Sequence, residues 1–148
     1  MVIDSSALLA ILLGEPDAEL FARAIADDPK RLVSAVSALE AAIVIHARKG
    51  PAGTRELDLL FHAAGLIVVS FDADQTLLAR AAYAKFGKGR HAAGLNLGDC
   101  CSYALARSSN EPLLCKGNDF SRTDAAIVDP SGPPADRSRS TGGAHDRS

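Results

Sequence analysis

Val2-Ile3-Asp4-Ser5-Ser6-Ala7-Leu8-Leu9-Ala10-Ile11-Leu12-Leu13 decides how the rest of the chain is read. Two β-type residues run into an aspartate and two serines, and apolar residues at helical spacing follow at once. A short strand therefore hands over to a helix across Asp4. The same handover recurs downstream. Short β-type runs at 2–3, 31–34, 66–71, 112–115 and 126–128 alternate with helical patterns over 5–13, 17–26, 35–49, 54–64, 73–85 and 97–108. That alternation predicts an α/β fold with a mostly parallel sheet covered by helices on both faces. Helices after parallel strands run back antiparallel to them, so strand ends and helix starts gather at one edge, where such folds bind ligands.

The chain has 148 residues, enough for one domain. Leu, Ile, Val and Phe make up about a quarter of it, which supports a sizeable core. No apolar run approaches the ~18 residues of a membrane span, and no basic segment precedes the first strand as in a secretory signal. The expected location is the cytoplasm, with no membrane partner. Three cysteines, two of them adjacent at Cys100 and Cys101, lack the spacing of a zinc site or disulfide framework and are expected as reduced, buried thiols. Residues 130–148 contain no Leu, Ile, Val, Phe or Met and are expected as a disordered polar tail behind a domain spanning 1–129. That tail takes only three of the 16 basic and two of the 18 acidic residues, so the body is acidic overall. The charge is also segregated. No acid falls between Asp74 and Asp99, where Arg80, Lys85, Lys88, Arg90 and His91 lie.

Four acids from distant stretches are predicted at the functional edge. Asp4 follows the first strand, and Asp119 follows the fourth. Glu40 lies near the start of the helix at Ser37, and Asp99 in the first turn of the helix near Gly98. Each has a structural explanation when taken singly. Ser37 to Glu40 and Ser121 to Asp124 match capping boxes, acids are favoured in a first helical turn, and Asp119 suits an Asx-turn. Asp4 and Asp99 are harder to explain this way, because each interrupts an apolar surrounding in which a lone charge is costly. Four carboxylates drawn together repel unless a cation neutralises them. With oxygen donors and no His or Cys cluster nearby, Mg²⁺ is the natural occupant, with Mn²⁺ as substitute, and such a site suits phosphodiester cleavage.

With those residues in hand, the chain resembles a PIN domain, and closely the VapC-type toxins of bacterial toxin-antitoxin pairs. The resemblance runs from Met1 to about Asp129 and is carried by Val2-Ile3-Asp4-Ser5-Ser6-Ala7, Ser37-Ala38-Leu39-Glu40, Leu95-Asn96-Leu97-Gly98-Asp99-Cys100 and Leu114-Cys115-Lys116-Gly117-Asn118-Asp119-Phe120. It implies a three-layer α/β/α sandwich and a Mg²⁺-dependent endoribonuclease that stops translation by cutting transfer or ribosomal RNA. By the same resemblance Asp4 and Asp99 hold the metal, and Glu40 and Asp119 complete the acidic pocket. Many PIN domains carry Thr-x-Asp after the fourth strand. Here Cys115 and Gly117 occupy those places, so the fourth acid is either supplied two residues on, by Asp119, or absent from the metal shell. A homodimer and a VapB-type antitoxin covering the active site are further implications, and the apolar faces at 42–49 and 8–13 are read either as the candidate contact or as plain core. Lys88, Arg90 and His91 in a Gly-rich loop, with Lys116, are the candidate RNA contacts, because phosphate contacts position a substrate.

Two other readings compete. One is a catalytically weak PIN-like module that only holds RNA or a partner. The other is a phospho-acceptor receiver domain, with Asp72 as acceptor and Lys116 as its cation, although that fold wants two adjacent acids after the first strand and this chain has Asp4-Ser5-Ser6.

Overall fold

Strand-to-helix alternation is realised throughout the computed structural model, which describes residues 1–134. The elements run β1 (Val2–Ile3), α1 (Ser5–Leu12), α2 (Ala18–Asp27), β2 (Leu32–Ser34), α3 (Ala35–Ala63), β3 (Ile67–Val69), α4 (Ala73–Phe86), α5 (Leu97–Ser109), β4 (Leu113–Leu114) and a 3₁₀ turn at Asp119–Arg122. All pairings are parallel, in the order β3-β2-β1-β4, with Val2 opposite both Leu32 and Leu113. The chain leaves β1 to build one side of the sheet through β2 and β3, and returns to its other side as β4. The order thus reverses beside β1, and the crevice beyond the strand ends there is where open α/β sheets bind ligands.

Alternation along each strand divides the apolar residues between two cores. Val2, Leu32 and Leu113 pack with Ala79, Phe86 and Leu105 of α4 and α5. Ile3, Val33 and Leu114 pack with Leu8, Phe21, Ile45 and Leu57 of α1 to α3. The result is the expected three-layer sandwich. No helix among the described residues is long and apolar enough to cross a membrane.

The two helices expected at 35–49 and 54–64 are the halves of α3. Gly50 breaks it at φ 60°, ψ −150°, a conformation closed to side-chain-bearing residues, and Pro51 starts the second half without needing a donor. The fifth expected strand, at 126–128, reduces to a single bridge of Ile127 to Leu113, because turns close in on it from both ends. The tail expectation falls at 135–148 outside the described residues. Within 130–134, Asp129 accepts from the Ser131 backbone (2.9 Å) and hydroxyl (2.7 Å) and forms a turn.

Candidate active site

Asp4 is placed by the sheet itself. Its backbone N–H donates to Leu114 of β4 at 2.9 Å, which carries the β1–β4 ladder one residue past the strand. Its extended backbone then makes it the N-cap of α1, with Oδ2 accepting from Ser6 N at 3.1 Å. Oδ1 accepts from the Ser102 hydroxyl at 2.6 Å, and the side chain is buried. The loop after β4 is drawn to the same place, since Lys116 N donates to Ser6 Oγ at 2.9 Å.

Asp99 arrives on α5, in a capping box that the sequence expectation put elsewhere. Asn96 Oδ1 accepts from Asp99 N at 2.9 Å, and Asp99 Oδ2 accepts from Asn96 N at 3.1 Å. Burial pushes the Asp99 carboxyl up to about 7. The Asn96 hydrogen bond opposes this, and the charges of Asp4, Asp119 and Glu40 add to the rise. Those three contributions are electrostatic evidence that all four acids share one neighbourhood.

Glu40 is held by α3 against two neighbours. Its Oε1 accepts from the Ser5 hydroxyl. Its Oε2 lies against Gly98, where an added Cβ would sit 2.5 Å away. Glycine at 98 thus lets a carboxylate approach the α5 backbone next to Asp99. Gly98→Ala is expected to displace the Glu40 carboxylate, the movable end of a flexible side chain, and to cut catalytic rate by about tenfold or more. Circular dichroism and thermal unfolding, measured beside the rate, should show the fold retained.

Asp119 starts the 3₁₀ turn and is exposed, and its carboxylate makes no hydrogen bond among the described residues. Cys115, where the resemblance leads one to expect Thr, is a buried free thiol. Burial first, and then the charges of Asp4, Asp99 and Asp119, push it up to about 12, so it stays protonated and packs as a small hydrophobe. Cys100 and Cys101 are also free and buried.

Both capping boxes anticipated from sequence are corrected. Ser34 caps α3 through Val36 N, whereas Ser37 is inside the helix and its hydroxyl meets Ser102 Oγ at 2.9 Å. Ser121 donates to Asn118 O within the 3₁₀ turn, and Asp124 accepts from the Tyr103 hydroxyl at 2.6 Å. Ser5, Ser37, Ser102 and Gly98 are functional-edge residues that the sequence reading did not single out for the site. The available signal was spacing, since Ser37–Glu40 and Asp99–Ser102 are both three apart and share a helix face.

The basic candidates divide. Lys88 and Arg90 are exposed in the loop leading into α5, whereas His91 is built into that loop, accepting from Ala93 N at 3.0 Å and packing edge-on against Phe86. Lys116 pairs with Glu15 and, at 3.0 Å, with Asp17, and both hold its ammonium above the usual lysine range. The receiver-domain geometry does not form. Asp72 is exposed and caps α4 through Gln75 N at 2.9 Å, and Lys116 is committed to Glu15 and Asp17.

Among the described residues, Asp4, Glu40, Asp99 and Asp119 have no cationic side chain within ion-pair distance. Nor are any three His, Cys, Asp or Glu drawn together as a ready-made metal cage. Mg²⁺ is commonly held by one or two carboxylates, with waters and substrate phosphate completing its shell. Two buried, uncompensated carboxylates with two more acids beside them fit that ion's donor chemistry. A separate cleft at the opposite edge of the sheet, lined by Met1, Asp27, Pro112 and Pro134, contains none of the four acids.

Comparison with known proteins agrees with this fold. The PIN domain family matches residues 1–126. The chain is 60% identical over 128 residues to Ribonuclease VapC of Mycolicibacterium smegmatis, a match covering 86% of this chain and 99% of that protein. The fold is shared with Mycobacterium tuberculosis VapC20, described as a sarcin-ricin loop cleaving toxin, at TM-score 0.70 and 18% identity over 86% of this chain and 97% of the other. A toxin-antitoxin complex from Klebsiella pneumoniae gives TM-score 0.65 at 16% identity, covering 87% and 96% of the two chains.

Proposed function

Because the chain belongs to the PIN-domain family, and within it to the VapC ribonucleases, we propose that it is a Mg²⁺-dependent endoribonuclease toxin that cleaves transfer or ribosomal RNA and so halts translation and growth. The observation that carries this reading is the meeting of Asp4 and Asp99, both buried and without a cationic side-chain partner among the described residues, with Glu40 and Asp119 at the sheet's ligand-binding edge.

Asp4 and Asp99 would hold the metal, with Mn²⁺ as an alternative. Bound there, the ion supplies charge neutralisation at the scissile phosphate and a more acidic attacking water. Glu40 and Asp119 would be the carboxylates available to orient an attacking water and accept its proton. Water oxygen bonds to phosphorus, the bridging P–O bond breaks, and the departing oxygen takes up a proton. Lys88 and Arg90 extend as cations beside the start of α5, suited to the RNA backbone on either side of the cut, and His91 shapes their loop. Lys116 joins them only by leaving Glu15 and Asp17.

The partners in this reading are a VapB-type antitoxin, a second copy of the chain and RNA, all in the cytoplasm. The earlier contact surface needs revision. Leu8, Leu12 and Ile45 are core, whereas Leu39 (61% exposed) and Ile43 (60%) of α3 and Leu97 (76%) next to Gly98 are free to meet a partner beside the acids.

Purified, partner-free protein incubated with total RNA tests the proposal, with Mg²⁺ or EDTA and with Asp99→Asn prepared identically. Discrete cuts that need both the metal and Asp99 are expected, and mapping the new ends names the target. The sarcin-ricin loop, cut by the structurally similar VapC20, belongs among the first substrates along with transfer RNA. RNA binding without cleavage by folded wild type would instead establish the binding-module reading.

A further inference from the structure

Three of the four acid-bearing elements at the site also carry a serine aimed at another element, the exception being the 3₁₀ turn of Asp119, where Ser121 bonds within the turn. Ser5, at the start of α1, donates to Glu40 of α3. Ser102 of α5 donates to Asp4 Oδ1 at 2.6 Å, and Ser37 of α3 meets Ser102 Oγ at 2.9 Å. Ser37 and Ser102 are both fully buried. The direction of the second chain follows from proton count. Ser102 has a single hydroxyl proton, and it is spent on Asp4 Oδ1. Ser102 can then only accept from Ser37, and the relay runs Ser37 to Ser102 to Asp4.

This relay fixes the carboxylate that the proposed function assigns to the metal. Asp4 Oδ2 is anchored by Ser6 N, but one anchor leaves the carboxylate plane free to turn about it. Ser102 on Oδ1 supplies the second anchor. Each oxygen then retains one further lone pair with a set direction. We propose that Ser102, oriented by Ser37, is a positioning residue for Asp4, setting the direction in which its carboxylate presents lone pairs to a divalent cation. Ordering of this kind around a metal ligand commonly contributes about 10- to 100-fold in metal affinity or activity.

The inference rests on the proposed metal-dependent activity, and Mn²⁺ binding to the whole protein separates the two. Calorimetric titration with Mn²⁺ would be run on wild type, Ser102→Ala, Ser37→Ala and the double variant, with circular dichroism and thermal midpoints as folding controls. Ser102→Ala is expected to bind Mn²⁺ about tenfold more weakly with its fold retained, and to lower kcat for RNA cleavage while KM changes little. Ser37→Ala should show a smaller loss, and the double variant should be no worse than Ser102→Ala, because Ser37 acts through Ser102. A purely structural role would lower the thermal midpoint and leave Mn²⁺ affinity within twofold of wild type, and that result overturns the inference while the metal site stands. Wild type that binds no Mn²⁺ overturns both. If Ser102→Ala does not fold, Ser37→Ala decides alone, and wild-type affinity there overturns the relay.

Discussion

Asp4→Asn is expected to abolish growth inhibition when the protein is expressed without a partner, and to do so in a folded chain. Asparagine is as good an N-cap as aspartate, so its side-chain oxygen still accepts from Ser6 N and α1 keeps its start. With that oxygen on Ser6, the amide nitrogen takes the place of Oδ1 and cannot accept, so the bond from Ser102 is lost, at a cost of about 1 kcal/mol. The change removes the charge. In the proposed mechanism that charge directly holds the metal, and alterations one bond further out already cost about 10- to 100-fold. A fall of at least roughly 10²-fold in RNA cleavage should follow, read by growth after induction and by RNA end-mapping, with circular dichroism to establish folding. Asp4→Ala is a poorer probe because it also removes the cap. Undiminished toxicity of Asp4→Asn would count decisively against a metal-dependent mechanism.

The same residues show which parts of the molecule sequence exposes. Helices were legible because their apolar faces repeat over many residues, and even the break in α3 was marked by Gly50-Pro51. Strands were legible in place but overdrawn in length. The run expected at 66–71 pairs only over Ile67–Val69, since ladder length depends on what the neighbouring strand offers. Convergence of Asp4, Glu40, Asp99 and Asp119 followed from topology, because strand ends and helix starts share an edge whatever the detailed packing. Hydrogen bonding across the site did not follow. Ser37 meets Ser102 across 65 residues, and Ser102 meets Asp4 across 98, so both depend on the relative setting of α3, α5 and β1. Read locally, Ser37 and Glu40 looked like a cap because the capping pattern is written on three residues of sequence, whereas their partners lie on other elements. Lys116 misled in the same way. It is a free cation in the sequence and half of a surface ion-pair cluster once Glu15 and Asp17 are folded beside it.

Asp99→Asn should abolish cleavage and yet make the metal-free protein more stable at neutral pH. The wild-type carboxyl rises from 3.8 to about 7 on folding, chiefly by burial, with Asp4, Asp119 and Glu40 adding to it. Between those values the folded state binds a proton that the unfolded chain has released, so stability falls as pH rises through the window and the full cost is present above pH 7. Asparagine does not titrate. Its oxygen still accepts from Asn96 N in the capping box, and its amide hydrogens can meet the neighbouring carboxylates. In EDTA, the wild-type thermal midpoint should therefore drop between pH 4.5 and 8 relative to Asp99→Asn, by on the order of 5 °C. Adding Mg²⁺ at pH 7.5 should recover the wild type and leave the variant unmoved, because a ligand stabilises only the state that binds it. Parallel pH profiles for the two proteins would mean that burial and the neighbouring acids do not disfavour the Asp99 charge, and the electrostatic case for a resident cation would fall with that result.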